Sequence, residues 1–373
     1  MKKPSTPFPT TGYYGPDYFC DREEELKQLL FHLHGGNSTT LVAIRRLGKT
    51  ALIQHLFQQM EKKYLGIYAD ILPTESLNDL LNLVASSITR ALPERSSAGK
   101  KVMSFIRSLR PTMSYDTLSG APIFSFRTGE SESKRSVEEL LQLLEQHSDP
   151  VAFAIDEFQQ ILNYPEKQAD AWLRSVIQGL RNVSFIFSGS QQHVMQDMFT
   201  SPNKPFYRST QMMKIGKIDP EKYKDFIVTK FSAERKDISN ETAGEILAWT
   251  NGHTYYVQLL CNRVFLSSGR EITSETWKSE AASLLKEQEF VFYGYRELLT
   301  RSQWELLKAI AREGEVAQPT SNAFISSHQL GNPASVLRSL QALQNKELVY
   351  SERGEDGASY YSIYDVLFQR WIE

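Results

Sequence analysis

The stretch Ala43-Ile44-Arg45-Arg46-Leu47-Gly48-Lys49-Thr50 decides the fold of this chain. Residues 40–44 are apolar and residues 51–57 have helical spacing, so the order is strand, polar loop, helix. Gly-Lys-Ser/Thr in that context is typical of a loop whose backbone N–H groups cradle phosphates at the positive end of a helix. We expect Lys49 to reach the β and γ phosphates and Thr50 to complete a Mg²⁺ shell. Ala43 stands where the pattern has its first glycine, and a solvated turn is the alternative.

A second apolar run, residues 151–155, ends at Asp156-Glu157. A continuous apolar strand is typical of a parallel sheet that is buried on both faces. Two carboxylates at its end are costly unless they serve a cation or a reaction. We therefore expect Asp156 to hold Mg²⁺ and Glu157 to polarise an attacking water, although a strand ending in an acidic loop explains this pair taken singly. The two motifs together predict a nucleotide site.

Ser188-Gly189-Ser190 follows a third apolar run, residues 183–187. The Ser188 and Ser190 hydroxyls could bind a γ-phosphate or the attacking water, but Ser-Gly-Ser is also ordinary turn chemistry. Strands that alternate with helices predict an α/β fold with a mostly parallel sheet.

The pattern changes twice further along the chain. Residues 93–135 are rich in Ser, Gly, Lys and Arg, and two strand-like runs around Leu118-Ser119 predict a hairpin insertion near 100–135 that is solvated rather than phosphate-facing. Ser136 and Glu139 have capping-box spacing and predict the start of a helix. After Asp219 the strands stop and helices follow, and from Leu298 helices closed by a hairpin describe a winged helix. The predicted domains are residues 1–218, 219–297 and 298–373.

Length and composition set the class of protein. The 373 residues are enough for two or three domains of roughly 100–200 residues each. A net charge of −2 exerts no global attraction for nucleic acid or anionic membrane. The two distant cysteines, Cys20 and Cys261, favour a reducing cytosolic compartment. Lys2 and Lys3 precede no apolar stretch, and no apolar run approaches the roughly 20 residues of a membrane helix, so we expect a cytoplasmic protein without a signal peptide.

The motifs resemble those of archaeal-type and bacterial P-loop ATPases related to the AAA+ and STAND groups. Residues 45–52 resemble the Walker A segment RRxGKTxL, residues 152–159 are similar to the Walker B segment hhhIDEFQ, and residues 187–190 resemble the strand that carries sensor 1. Residues 19–26 resemble the FxGRExEL segment, residues 252–258 the GxPxxhQ element of the helical lid, and residues 360–371 the end of the family's winged helix.

The resemblance implies a set of nucleotide contacts. Phe19 and Arg22 would lie near the adenine, and His253 would contact the nucleotide from the lid. Arg208 resembles an arginine that senses the γ-phosphate, with a surface arginine as the alternative. The remaining contacts would come from the Walker A residues Ala43, Arg45, Arg46, Leu47, Gly48, Lys49, Thr50 and Ala51.

The implied activity is Mg²⁺-dependent hydrolysis of ATP to ADP with slow turnover, in a switch that moves its lid and winged helix. The alternatives are a nucleotide-bound protein-interaction module without turnover and a winged-helix DNA-binding regulator. From Leu298 onward the chain has Lys/Arg at 301, 308, 312, 338, 346, 353 and 370, and Asp/Glu at 305, 313, 315, 347, 352, 355, 356, 365 and 373. This acidic balance favours a protein partner or self-association over DNA, because affinity for duplex comes largely from neutralised phosphates.

Overall fold

The computed structural model describes residues 4–60, 64–117, 120–354 and 356–373. The terminal Lys2 and Lys3, the hairpin residues Leu118 and Ser119 and the wing residue Glu355 lie outside the described residues. The chain divides into two compact units. The first unit consists of Arg22–Ala43 and Gly48–Gly216; the second consists of Ile44–Leu47, Lys217–Glu373 and the described residues up to Asp21.

The first unit is a helix-covered sheet. Its helices are α1 (Glu23–His34), α2 (Lys49–Gln59), α3 (Leu77–Ala91), α4 (Ser97–Ser108), α5 (Glu130–Glu145), α6 (Ala169–Gln178) and α7 (Gln192–Thr200). Its strands are β1 (Thr39–Val42), β2 (Leu65–Asp70), β3 (Thr112–Tyr115), β4 (Pro122–Ser125), β5 (Val151–Asp156), β6 (Val183–Gly189) and β7 (Gln211–Lys214). Five of these strands form a parallel sheet in the order β2-β5-β6-β1-β7, while β3 and β4 form an antiparallel pair.

The parallel sheet confirms the predicted α/β class. Every residue of β5 and β6 is buried, because apolar side chains on both faces pack against helices. The register places the carboxyl ends of β1, β5 and β6 at one edge of the sheet, where ligands of such folds bind. Strand β7 was not predicted, since it is short and only Met213 of its four residues is buried.

Two helices of the first unit differ from the sequence-based expectation. Helix α5 begins at Glu130, so the predicted start at Ser136 is wrong. Ser136 is buried inside this helix, whose first turn carries Glu130 and Glu132, where carboxylates are favourable to the helix dipole. Helix α4 was not predicted, although Val102 and Ile106 have helical spacing and are both buried.

The second unit is mainly helical. Its helices are α8 (Pro220–Ala233), α9 (Asn240–Trp249), α10 (Thr254–Ser267), α11 (Ser274–Glu297), α12 (Arg301–Glu313), α13 (Asn322–Ser327), α14 (Pro333–Asn345) and α15 (Val366–Ile372). Its strands are β8 (Asp237–Ile238), β9 (Glu271–Ile272), β10 (Val349–Arg353) and β11 (Ser359–Ile363).

Helices α12 to α14 and the antiparallel pair β10–β11 form the winged helix that the sequence predicts. The expectation that strands stop after Asp219 is wrong, because the two-residue strands β8 and β9 pair in parallel within the helical segment. The domain boundaries at 218/219 and 297/298 stay a prediction. Within the described part of the chain, no helix combines the length and the hydrophobicity that crossing a membrane requires.

Candidate nucleotide-binding site

The loop between β1 and α2 ends at a glycine that leads directly into helix α2. Gly48 adopts a left-handed conformation (φ 95°), which a side chain would disfavour, and helix α2 begins at the next residue. The buried Lys49 amino group donates a hydrogen bond of 3.3 Å to the carbonyl of Ala43. Ala43 is outside the left-handed region, so the Cβ at this position imposes no backbone strain. The missing first glycine is therefore compatible with the loop.

The Asp156 carboxylate lies at the end of β5 and is almost fully buried. Its Oδ2 accepts hydrogen bonds of 2.7 Å from both the Thr50 and the Tyr68 hydroxyls. Its Oδ1 accepts one of 2.5 Å from Ser188 and one of 3.0 Å from the Glu157 backbone N–H. The structure thus joins Thr50, Asp156 and Ser188, which come from α2, β5 and β6.

The neighbouring Glu157 carboxylate is held separately. Glu157 has a left-handed backbone (φ 55°), and its Oε2 accepts hydrogen bonds from Ser190 Oγ at 2.7 Å and from the Ser190 N–H at 3.2 Å. Gln159 Nε2 donates a third hydrogen bond of 2.5 Å to the same oxygen. A Cβ at Gly189 would lie 2.1 Å from Gln159 Oε1 and 2.7 Å from the sulfur of Met195, which explains why glycine separates the two serines.

An aromatic cluster supports the turn that carries these carboxylates. The rings of Phe158 and Phe187 lie 4.4 Å apart, and Phe158 is 5.1 Å from Phe206, measured between ring centroids. All three side chains are fully buried, as is Phe199, which contacts each of them. Close packing leaves the turn little freedom to move.

Two polar residues of β2 were missed as members of this site. Asp70 pairs with Asp156 in register, and burial raises its pKa, with Asp156 and Glu157 adding to the effect. Burial also raises the pKa of Tyr68, followed by the charge of Asp156. The signal was available, because Tyr68 and Asp70 are two residues apart at the carboxyl end of β2 and so share one face of the sheet. The third missed residue, Gln159, had no sequence signal apart from its place in the Walker B segment.

The segment Ile44–Leu47, in the middle of the loop between β1 and α2, belongs to the second unit. Arg45 forms an ion pair of 2.6 Å with Glu347, and the Arg46 guanidinium lies 4.5 Å above the Tyr255 ring. Leu47 is buried, whereas Ala51 lies half-buried on α2 in the first unit. The predicted nucleotide contacts of these residues stay a prediction.

His253 precedes α10 and is almost fully buried. Its Nε2–H donates a hydrogen bond of 3.0 Å to the backbone carbonyl of Arg45. Burial lowers the pKa of His253 to about 4, and the charge of Lys217 contributes in the same direction. The imidazole is therefore neutral at physiological pH.

The structure places the remaining predicted residues as follows. Phe19 packs edge-on against Tyr13, with 5.8 Å between ring centroids. Arg22, at the start of α1, is buried and donates hydrogen bonds to Glu25 and to the carbonyl of Gly216. Arg208 has a left-handed backbone (φ 50°), and its guanidinium lies 5.2 Å from the centre of the Tyr207 ring. These contacts leave their predicted roles toward adenine and γ-phosphate as predictions.

The donor set around Asp156 fits Mg²⁺. This ion is usually bound by one or two carboxylates together with substrate phosphates, and it prefers hard oxygen ligands. The Thr50 hydroxyl and the Asp156 carboxylate are such oxygens. Their 2.7 Å hydrogen bond shows that the two oxygens are close enough to contact one ion.

The family description "ATPase domain predominantly from Archaea" matches residues 19–260, more than half of the chain, and the chain belongs to this family. A second description, "probable winged helix domain", matches residues 290–373. These matches confirm the resemblance to archaeal-type P-loop ATPases with a C-terminal winged helix. No curated protein matches the sequence.

Several solved structures share the fold. A Walker-type ATPase of Pyrococcus abyssi superposes with a TM-score of 0.65 at 17% identity, over 98% of this chain and 99% of that chain. The Aeropyrum pernix ORC2 protein, in ADPNP-ADP complexes, gives 0.62 at 12% identity over 97% and 95%. The ORC1 protein of the same organism, in complex with DNA, gives 0.51 at 13% identity over 96% and 94%. At these identities the likeness shows the fold alone.

Proposed function

We propose that this protein binds ATP and hydrolyses it slowly to ADP with Mg²⁺, and that it works as a nucleotide-dependent switch of the AAA+/STAND kind. The observation that carries the proposal is the hydrogen-bonded set Thr50–Asp156–Ser188, which joins the ends of α2, β5 and β6 around one buried carboxylate. Burying a carboxylate is costly, the three hydroxyl donors offset part of that cost, and a bound cation would offset more of it.

In this proposal each residue has a separate task. Lys49 and the loop N–H groups neutralise phosphate charge, while Thr50 and Asp156 hold Mg²⁺, which neutralises the charge that develops on the phosphates. Glu157 orients the attacking water by accepting a hydrogen bond from it. Ser188 and Ser190 lie beside the two carboxylates, where either could respond to the γ-phosphate.

Slow turnover is supported by the surroundings of Glu157. Its Oε2 already accepts three hydrogen bonds, from Ser190 and Gln159. To orient water, Glu157 has to exchange at least one of these donors, which adds a conformational step before hydrolysis.

The switch is supported by the contacts of the loop segment Ile44–Leu47. The partners of Arg45 and Arg46 are His253, Tyr255 and Glu347, which lie at α10 and just after α14. A conformational change in the segment Ile44–Leu47 would therefore alter contacts with both the helical and the winged-helix elements of the second unit.

The ATPase proposal is tested by comparing the wild type with Lys49→Ala and Glu157→Gln. We expect Lys49→Ala to lose nucleotide binding, and Glu157→Gln to bind ATP normally while hydrolysis falls at least about 100-fold, because a water-orienting base contributes about 10²–10⁴-fold. The measurements are phosphate release and binding of a fluorescent ATP analogue. Glu139→Gln, on α5, is the matched control and should behave as wild type. Wild-type hydrolysis no higher than that of Lys49→Ala would leave the nucleotide-bound interaction module as the function.

We further propose that the winged helix contacts a protein, either a partner or a second copy, rather than DNA. Its net acidic charge opposes a duplex, although Arg338, Gln341 and Asn345 lie exposed on α14 and could contact bases. Salt-sensitive binding of a defined duplex, selected from a pool of genomic fragments, would establish the DNA-binding alternative instead. A cytoplasmic location is supported by Cys20 and Cys261, both of which are buried thiols.

A further inference from the structure

The hydroxyl of Tyr68 contacts the predicted metal ligand directly. Tyr68 lies on β2, the strand next to β5, and pairs in register with Ala154, two residues before Asp156. Its hydroxyl donates a 2.7 Å hydrogen bond to Asp156 Oδ2, the same oxygen that Thr50 contacts. Neither the Walker A nor the Walker B segment includes this residue.

The two oxygens of Asp156 differ in how they are held. Oδ1 accepts hydrogen bonds from Ser188 and from the backbone N–H of Glu157, so it is tied to β6 and to its own turn. Oδ2 accepts from Thr50 and Tyr68. Because Thr50 is itself predicted to bind the metal, Tyr68 is the donor that holds Oδ2 without competing for that role.

We propose that Tyr68 is a positioning residue that orients the Asp156 carboxylate for Mg²⁺, an inference that rests on the proposed function. Groups that hydrogen-bond a metal-binding carboxylate fix its rotation and commonly change metal affinity by about 10–100-fold when removed. Tyrosine suits this task because its ring is rigid and the neighbouring strand β2 anchors it.

The test is Tyr68→Phe, which keeps the ring and removes only the hydroxyl. Binding of a fluorescent ATP analogue is measured as a function of Mg²⁺ and again in EDTA. We expect the Mg²⁺ concentration needed for half-maximal effect to rise about 10–100-fold, while the affinity in EDTA changes by less than about twofold. Tyr164→Phe is the matched control, because Tyr164 is a buried tyrosine of the same unit whose hydroxyl contacts Thr74 instead.

Asp156→Asn separates positioning from a general loss of structure. If Tyr68 acts through Asp156, Tyr68→Phe should have no further effect on the Mg²⁺ dependence when Asp156→Asn is already present. An equal effect in both backgrounds, or a matching loss of affinity in EDTA, would overturn the proposal. If the wild type requires Mg²⁺ and Tyr68→Phe shows the same Mg²⁺ dependence, the proposal is also overturned, while the proposed function stays intact. A wild type that binds the analogue equally with Mg²⁺ and EDTA would instead remove the metal role of the site, and this inference with it.

Discussion

At the scale of single residues, burial lowers the pKa of His253, and the sequence did not predict the surroundings that bury it. The family resemblance implies that it contacts nucleotide, which stays a prediction, and the structure shows its ring donating a hydrogen bond to the carbonyl of Arg45. The protonated imidazole is disfavoured there, because burial removes it from water and Lys217 adds a like charge. His253 is therefore a neutral donor to the backbone of the loop segment Ile44–Leu47.

We predict that His253 makes the second unit less stable in mild acid. Its pKa is about 4 in the folded protein and about 6.5 in an unfolded chain, so the unfolded chain binds the proton more readily. The contribution of His253 to the free energy of unfolding is fully present above pH 6.5. It falls by about 3 kcal/mol as the pH decreases toward 4. His253→Gln keeps a donor but does not titrate.

Urea unfolding at pH 7 and pH 4 measures this difference. The wild type should lose about 3 kcal/mol more than His253→Gln between the two pH values. If both proteins lost the same free energy of unfolding, protonation of His253 would not destabilise the folded state.

At the scale of elements, side chains of α3 form hydrogen bonds with the backbone at β4. In a sheet, the backbone of a neighbouring strand would form such bonds. Asn78, Asn82 and Ser86 are spaced four residues apart and line one face of the helix. Ser86 Oγ accepts from the Phe124 N–H at 3.2 Å, Asn82 Oδ1 accepts from the Phe126 N–H at 2.8 Å, and Asn78 Nδ2 donates to the Phe126 carbonyl at 3.0 Å. The rings of Phe124 in β4 and of Phe126, the next residue after β4, are buried, whereas every residue of β3 is exposed, so the β3–β4 pair is docked on one side and solvated on the other.

Asn82→Ala should destabilise the first unit by about 1–3 kcal/mol, because it leaves the N–H of the buried Phe126 without its acceptor. Urea unfolding measures the change. Asn163→Ala removes an exposed asparagine of the same unit and should stay within about 0.5 kcal/mol of wild type. A loss for Asn82→Ala no greater than that of the control would mean that water replaces the carboxamide.

At the scale of the whole molecule, the second unit joins the helical segment, the winged helix and the loop residues Ile44–Leu47. Helix α15 binds the end of α9: Arg370 donates to the carbonyl of Trp249 at 2.9 Å and to Asn251 Oδ1 at 2.9 Å. The ion pair between Arg45 and Glu347 adds the loop to the same body. In the proposed switch, this ion pair would connect the loop segment Ile44–Leu47 with the winged helix.

We predict that Glu347→Gln loosens the loop. The pair is partly exposed and so contributes no more than about 1 kcal/mol, which corresponds to hydrogen exchange up to about fivefold faster at the amides of Arg45, Arg46 and Leu47. Mass spectrometry of exchange measures this rate. Glu305→Gln breaks the ion pair with Lys308 inside α12 and should leave the loop amides unchanged. If Glu347→Gln exchanged at the wild-type rate, the ion pair would have no part in holding the loop.

The sequence by itself determined the α/β class, the strand–loop–helix around Lys49, the buried strand ending at Asp156 and the winged helix. Each of these depends on apolar periodicity or on turn residues within a few positions, which are local properties of the chain. The tertiary structure decided which donors surround Asp156, why glycine is needed at 189, and what His253 contacts. Tyr68 and Asp156 are far apart along the chain and meet only because β2 pairs with β5, and no local pattern encodes that pairing.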